Sequence, residues 1–255
     1  MQKEDEADDT ICIDDHARKM QKEDEADDTI CLDESFFVNR DYDLTTFTFG
    51  SHVLNLFCLR SASTDYDLTG QLVWPGAVLL NNYLSKNAEI LDGNSVIELG
   101  SGVGITGILC SRFCREVVLT DHNEEVLEIM KKNIKLHLSS ESSSPALTAE
   151  KLEWGNSVQI SEILQKHPGG FDLVLGADIC FQQSSIPLLF DTVEKLLRFQ
   201  EGKCRFILAY VSRAKRMDTL VIDEAVQHGM QVNEVHGTRS TVANLEGVIF
   251  EITLN

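Results

Sequence analysis

From residue 95 to residue 255, short apolar runs alternate with longer stretches whose apolar positions recur every three or four residues. The short runs are 95–99 (SVIEL), 116–120 (EVVLT), 149–154, 172–177 (DLVLGA), 205–211 (RFILAYV), 230–236 and 247–254 (GVIFEITL). They read as strands. The stretches between them, 103–113, 123–137, 157–166, 184–199 and 213–228, read as helices. Strands that alternate with helices predict an α/β fold, a mostly parallel sheet with helices on both faces. Residues 237–246 join the last two strands and leave no room for a crossover helix, so those strands are expected to be antiparallel neighbours. Upstream, 45–59 (TTFTFGSHVLNLFCL) alternates around Gly50-Ser51 and predicts an N-terminal β-hairpin. Pro75 suits the first turn of a helix over 75–85. Residues 139–145 (SSESSSP) read as a polar loop.

The chain has 255 residues, 43% hydrophobic and 25% charged, enough for one sizeable α/β domain. Its net charge of -19 is unevenly spread. Residues 1–35 hold 14 acids and 4 bases, a net of -10, and leave -9 for the remainder. This segment also repeats itself: MQKEDEADDTIC stands at 1–12 and again at 20–31, and Ile13-Asp14-Asp15 parallels Leu32-Asp33-Glu34. So acidic a stretch, nearly free of aromatic residues, is expected to be a disordered tail. It is read as a duplication or alternative start, or else as a docking tail for a basic partner. The expected division is therefore a tail over 1–35 and a domain over 36–255. A five-letter echo, DYDLT at 41–45 and 65–69, is read as coincidence or turn chemistry.

The acidity argues against a nucleic-acid backbone as ligand and is compatible with a protein partner that has a basic surface. No apolar run is long enough to span a membrane, and the charged first residues are unlike a signal peptide. The expected location is cytoplasmic or nuclear. The seven cysteines include no Cys-x-x-Cys pair, so no metal site is expected. Cys110 and Cys114, four apart, are read as buried thiols on one helix face. His122 and His137 are expected to face solvent.

The first strand of the sheet runs into Glu98-Leu99-Gly100-Ser101-Gly102-Val103-Gly104-Ile105-Thr106-Gly107. A Gly-rich turn between strand and helix lets a ligand approach the backbone and offers it unpaired helix amides. A nicotinamide-dinucleotide fingerprint wants glycine at the first, third and sixth positions. Here the sixth is Ile105, and the acid Glu98 precedes the loop. The second strand ends in Asp121, 19 residues after Gly102, where an acid accepts the ribose hydroxyls of a nucleotide. Asp121 would serve equally as a helix N-cap.

Together with Leu72-Val73-Trp74-Pro75-Gly76-Ala77, Leu152-Glu153-Trp154-Gly155 and Gly176-Ala177-Asp178-Ile179-Cys180-Phe181, these motifs make residues 44–254 resemble a known family. It is that of the Rossmann-like, seven-strand S-adenosylmethionine-dependent methyltransferases. The protein lysine methyltransferase branch, which includes enzymes acting on calmodulin and on chaperones, is the nearest in pattern. The resemblance implies a seven-stranded sheet with its last strand antiparallel and S-adenosylmethionine as cofactor. Trp74 would lie at the methionine end of the cofactor, with Glu98, Gly100, Ser101 and Gly102 around and beneath it. Asp121 would hold the ribose, Trp154 would lie at the adenine, and Ala177 would contact the cofactor through its backbone. Asp178 and Phe181 would line the target pocket. Phe181 stands where the family often has tyrosine.

The reaction expected is methyl transfer to a lysine of a protein substrate, with Asp178 recruiting and orienting the amine. A bare carboxylate there would also raise the amine's pKa and oppose its deprotonation. Two alternatives differ from this reading: a methyltransferase acting on arginine, histidine or a small molecule, and a cofactor-binding interaction module without turnover.

Overall fold

A computed structural model describes residues 42–60, 66–138, 146–200 and 203–255. The acidic repeat over 1–35 and the polar loop over 139–145 lie outside the described residues. A hairpin of β1 (Asp43–Phe49) and β2 (His52–Cys58) comes first, turning at Gly50-Ser51 as the sequence predicts. The main sheet contains β3 (Ser95–Leu99), β4 (Glu116–Asp121), β5 (Ala146–Lys151), β6 (Leu173–Ala177), β7 (Arg205–Val211), β8 (Met230–Glu234) and β10 (Leu245–Leu254). Their order is β5-β4-β3-β6-β7-β10-β8. The pairs from β5 to β7 are parallel, and β10 is antiparallel to both its neighbours.

The sheet is covered on both faces by α1 (Pro75–Leu84), α2 (Ile105–Cys110), α3 (Glu124–Leu138), α4 (Ser157–Lys166), α5 (Ile186–Phe199) and α6 (Lys215–Gln227). Alternation along each strand divides the core. On β6, Val174 joins the cluster under α4, α5 and α6, while Leu173 and Leu175 join the one under α1, α2 and α3. The hairpin seals the second cluster with buried Leu54 and Leu56. It is pinned to α3 by Asn133, whose Oδ1 accepts the Phe57 amide at 2.8 Å and whose Nδ2 donates to the Phe57 carbonyl at 3.0 Å.

Several boundaries differ from the sequence reading. The strand expected at 149–154 is β5, three residues earlier. Its alternation continues past Lys151, but the strand ends there and Trp154 lies in the turn that follows. The connection over 237–246 contains an additional short strand, β9 (Ser240–Val242), paired with β10. Ala243 and Asn244 make that tight turn with φ of 49° and 65°, the left-handed pair a two-residue hairpin needs. The final helix begins at Lys215 rather than 213, because Ala214 is extended. The DYDLT echo takes two forms: 43–45 lie in β1, while 66–69 belong to a 3-10 turn over Tyr66–Gln71. Among the described residues no helix is long and apolar enough to cross a membrane.

Candidate active site

Strand β3 pairs with β4 on one side and β6 on the other. The chains leaving β3 and β6 therefore diverge at their carboxyl ends, and a crevice opens where ligands collect in such sheets. One cleft of about 700 Å³, its open mouth included, occupies this place. Trp74, Glu98, Gly100, Ser101, Gly102, Asp121, Trp154, Ala177, Asp178 and Phe181 all line it. Every site residue expected from the sequence is thus brought together, although they come from five segments of the chain.

The floor is the loop after β3. Ser101 ties it to β4: its amide donates to the Thr120 carbonyl at 2.8 Å, and its Oγ accepts the Thr120 amide at 3.1 Å. Gly102 has φ 55°, and a Cβ placed on it would meet the Gly70 carbonyl oxygen at 2.6 Å. The 3-10 turn over 66–71 thus rests directly on the loop. Its Thr69 and Gly70 enter the cleft wall. Sequence reading missed them, since a single turn has no periodicity to detect. The turn also positions Trp74, whose Nε1 donates to the Thr69 carbonyl at 2.8 Å.

Asp121 closes the end of β4. Its Oδ2 accepts the Gly102 amide at 3.2 Å and its Oδ1 accepts the Asn123 amide at 3.2 Å. The cap of α3 is Asn123, whose Oδ1 accepts the amides of Glu125 and Val126 at 2.9 and 3.2 Å. Asp121 is therefore not the helix cap, and a diol presented in the cleft would find its carboxylate there. Asp121→Ala is expected to weaken S-adenosylmethionine binding at least tenfold, the loss of hydrogen bonds to a charged acceptor at about 1.5–3 kcal/mol each. Calorimetric titration checks this, with a thermal melt on the same sample to confirm folding; unchanged affinity would remove Asp121 from the site.

Glu98 lies under the loop, 2% exposed. Burial pushes its carboxyl up to about 7; hydrogen bonds from Thr106, Gly107 and Ser101 oppose that shift, and the neighbouring Asp121 charge adds to it. The Gly107 amide donates to its Oε2 at 3.0 Å. An acid whose folded pKa is raised loses stability as pH climbs from its unfolded pKa through the folded one. Relative to 4.5, a value near 7 costs about 3 kcal/mol above neutrality. Glu98→Gln keeps an acceptor for Gly107. It should raise the melting temperature by roughly 5–10 °C at pH 8 and by little near pH 4.5. A difference independent of pH would show that Glu98 does not ionise in that window.

Asp178 sits just beyond β6 with φ 60°, a strained conformation for a residue with a Cβ. Its side chain is 1% exposed. Its Oδ2 accepts the Gly76 amide at 3.0 Å at the start of α1, and both its oxygens accept from the Arg213 guanidinium, Nη2 to Oδ2 at 2.9 Å. A Cβ on Gly76 would fall 2.7 Å from the Asp178 Cβ, so only glycine admits this approach. The Arg213 Cζ also lies 5.6 Å from the Trp74 ring centroid. The carboxylate read as free for a substrate amine already has a cation of this chain. Sequence reading missed Arg213 because it placed 213 inside a helix. Phe181 stands at the rim, 41% exposed. His122 is exposed at the mouth, whereas His137, expected in solvent, is half-buried with Nε2 3.0 Å from the Asn55 carbonyl.

Comparison with known proteins agrees with this geometry. A family model described as lysine methyltransferase matches residues 59–224. The chain is 32% identical over 155 residues to the mouse (Mus musculus) protein N-lysine methyltransferase METTL21A, covering 60% of this chain and 65% of that protein. It is 30% identical over 167 residues to the protein-lysine N-methyltransferase EFM3 of Chaetomium thermophilum, covering 64% of this chain and 48% of that one. The matches thus span about two thirds and about half of these relatives. A solved structure of the magnesium protoporphyrin IX methyltransferase of Synechocystis with bound SAH shares the fold, with a TM-score of 0.51 at 13% identity over 76% of this chain and 90% of that one.

Proposed function

The chain belongs to the lysine methyltransferase family, whose model covers most of its domain, and from that premise we propose that it transfers a methyl group from S-adenosylmethionine to a lysine side chain of a protein substrate. The observation that carries this reading is the single cleft in which the Gly-rich loop, the Asp121 carboxylate and two tryptophans meet the Asp178–Phe181 rim. The donor set suits the cofactor. Asp121 fits the ribose, Trp154 and Trp74 offer apolar aromatic walls, and the acids around the loop favour a ligand with a positive centre. When bound, S-adenosylmethionine supplies a methyl carbon on a cationic sulfur, which leaves as a neutral thioether once the acceptor nitrogen has taken the carbon.

What remains for the protein is alignment and protonation. A lysine near pKa 10.4 needs about 4.6 kcal/mol to be neutral at pH 7. Burial of the amine against the aromatic walls would lower that cost, because burial disfavours the ammonium form. The proton leaves to water, and no dedicated base is required. Phe181 contributes apolar surface at the entrance and no hydroxyl.

The net charge of -19 favours a substrate with a basic surface. All five cysteines among the described residues are free, which suits the reducing cytoplasm or nucleus. The test is incubation of the protein with methyl-labelled S-adenosylmethionine and a cell extract. A labelled protein band is expected. Label confined to small molecules, or cofactor binding without transfer, would overturn the reading.

A further inference from the structure

Asp178 and Arg213 come from the ends of neighbouring strands, β6 and β7, and meet at the wall of the cleft. Three features show that this contact is built into the site. Asp178 holds a left-handed backbone that favours glycine, fixed by its amide donating to the Ala209 carbonyl at 2.9 Å. The extended Ala214 keeps Arg213 out of α6 and leaves its side chain free to turn toward β6. Arg213 then engages the carboxylate through both terminal nitrogens while lying near the face of Trp74. A planar guanidinium matches a carboxylate in this two-point manner, as an ammonium does not.

The pairing changes the electrostatics a substrate amine would meet. An uncompensated carboxylate at the entrance would hold a lysine as its ammonium ion, which is the form without a lone pair. We propose that Arg213 is a positioning residue that neutralises Asp178, so that the acceptor lysine enters as the free amine rather than as a trapped ammonium. This inference rests on the lysine methyltransferase reading.

The other ionisable groups facing the pair do not substitute for Arg213. On the Asp178 side the neighbour is the Cys180 thiol, pushed up out of the physiological range by burial and by Asp178. On β7, Tyr210 stays neutral because of burial and its hydrogen bond to Asp218. Asp218 of α6 is occupied by the Tyr210 hydroxyl at 2.6 Å and the Ser212 hydroxyl at 2.9 Å. From α1 comes only the Gly76 amide. Across the cleft stand Glu98, Asp121 and His122, which share its lining with Asp178. Arg213 is thus the one cation bonded to Asp178 among the described residues.

The experiment measures initial rates of labelled methyl transfer from saturating S-adenosylmethionine to the protein band found in the extract, from pH 6.5 to pH 9.5. Wild type, Arg213→Gln and Asp178→Asn are compared. Arg213→Gln exposes the carboxylate and should move the half-maximal pH upward by about one unit, with the rate at pH 7.5 down about tenfold and largely recovered at pH 9.5. Asp178→Asn leaves the guanidinium unopposed and should move the midpoint downward, whatever the overall rate. Either variant decides alone: a loss that scales the rate equally at every pH, with the midpoint unmoved, overturns the proposal.

A second readout needs neither cofactor nor substrate. Without Arg213 the buried Asp178 carboxylate has no counter-charge, which destabilises the folded protein wherever that carboxylate is ionised. The melting-temperature gap between wild type and Arg213→Gln should then widen from pH 4 to pH 7. A constant gap also overturns the proposal. If wild type labels no protein lysine, the lysine reading and this inference fall together. If it does and the midpoints stay fixed, only the inference falls.

Discussion

Gly102→Ala is expected to lower S-adenosylmethionine affinity about a hundredfold. The residue has φ 55°, and the added Cβ would lie 2.6 Å from the Gly70 carbonyl oxygen and 3.4 Å from the Gly70 Cα. Those are backbone atoms, so no side-chain rotation relieves the contact. Either the loop leaves its left-handed conformation, which costs about 1–2 kcal/mol in a residue with a Cβ, or the 66–71 turn moves outward. If the turn moves, Thr69 and Gly70 leave the cleft wall and Trp74 loses its anchor on the Thr69 carbonyl. A combined effect near 2.7 kcal/mol corresponds to a hundredfold in affinity. Calorimetric titration of the purified variant reads it directly. Affinity within threefold of wild type would mean that the loop and turn do not form the cofactor floor.

The second large effect is at Asp178. Asp178→Asn keeps the size and an acceptor for the Gly76 amide but removes the charge that binds Arg213. The guanidinium, 30% exposed, is left with no carboxylate. A fully buried broken pair costs about 3–5 kcal/mol, so partial exposure brings this one to roughly 2 kcal/mol. The melting temperature should fall by roughly 4–8 °C. Turnover should fall about a hundredfold, while cofactor affinity changes less than about fivefold, because the change lies at the acceptor end of the cleft. Parallel loss of affinity and turnover would place Asp178 on the cofactor instead. Full activity with normal affinity would remove it from the site.

Much of this architecture was legible because its signals are local. The Glu98–Gly107 loop and Asp121 stand at spacings set by one strand and one turn, Trp74 and Trp154 were placed by the resemblance of their short motifs to a known family, and all of them reach the cleft. The alternation of β and α periods likewise predicts the sheet, and the short connection over 237–246 predicts its reversed strand. Contacts that depend on backbone dihedrals were not legible. Arg213 reaches Asp178 only because Ala214 is extended and Asp178 is left-handed, and neither residue type announces that conformation. The β9 strand was hidden for a similar reason. Its turn is Ala243-Asn244 rather than the Asn-Gly or Asp-Gly that marks a tight hairpin. The 66–71 turn is too short for any hydrophobic pattern, yet it supplies one wall of the site.

The central claim is that lysine is the acceptor, and the identity of the methylated residue tests it most directly. The band labelled in the extract, hydrolysed to amino acids and separated by chromatography, should carry its label as Nε-methylated lysine. It should be absent when the Gly102→Ala protein replaces wild type at a cofactor concentration well below that variant's dissociation constant. Label recovered as methylarginine or methylhistidine would contradict the account.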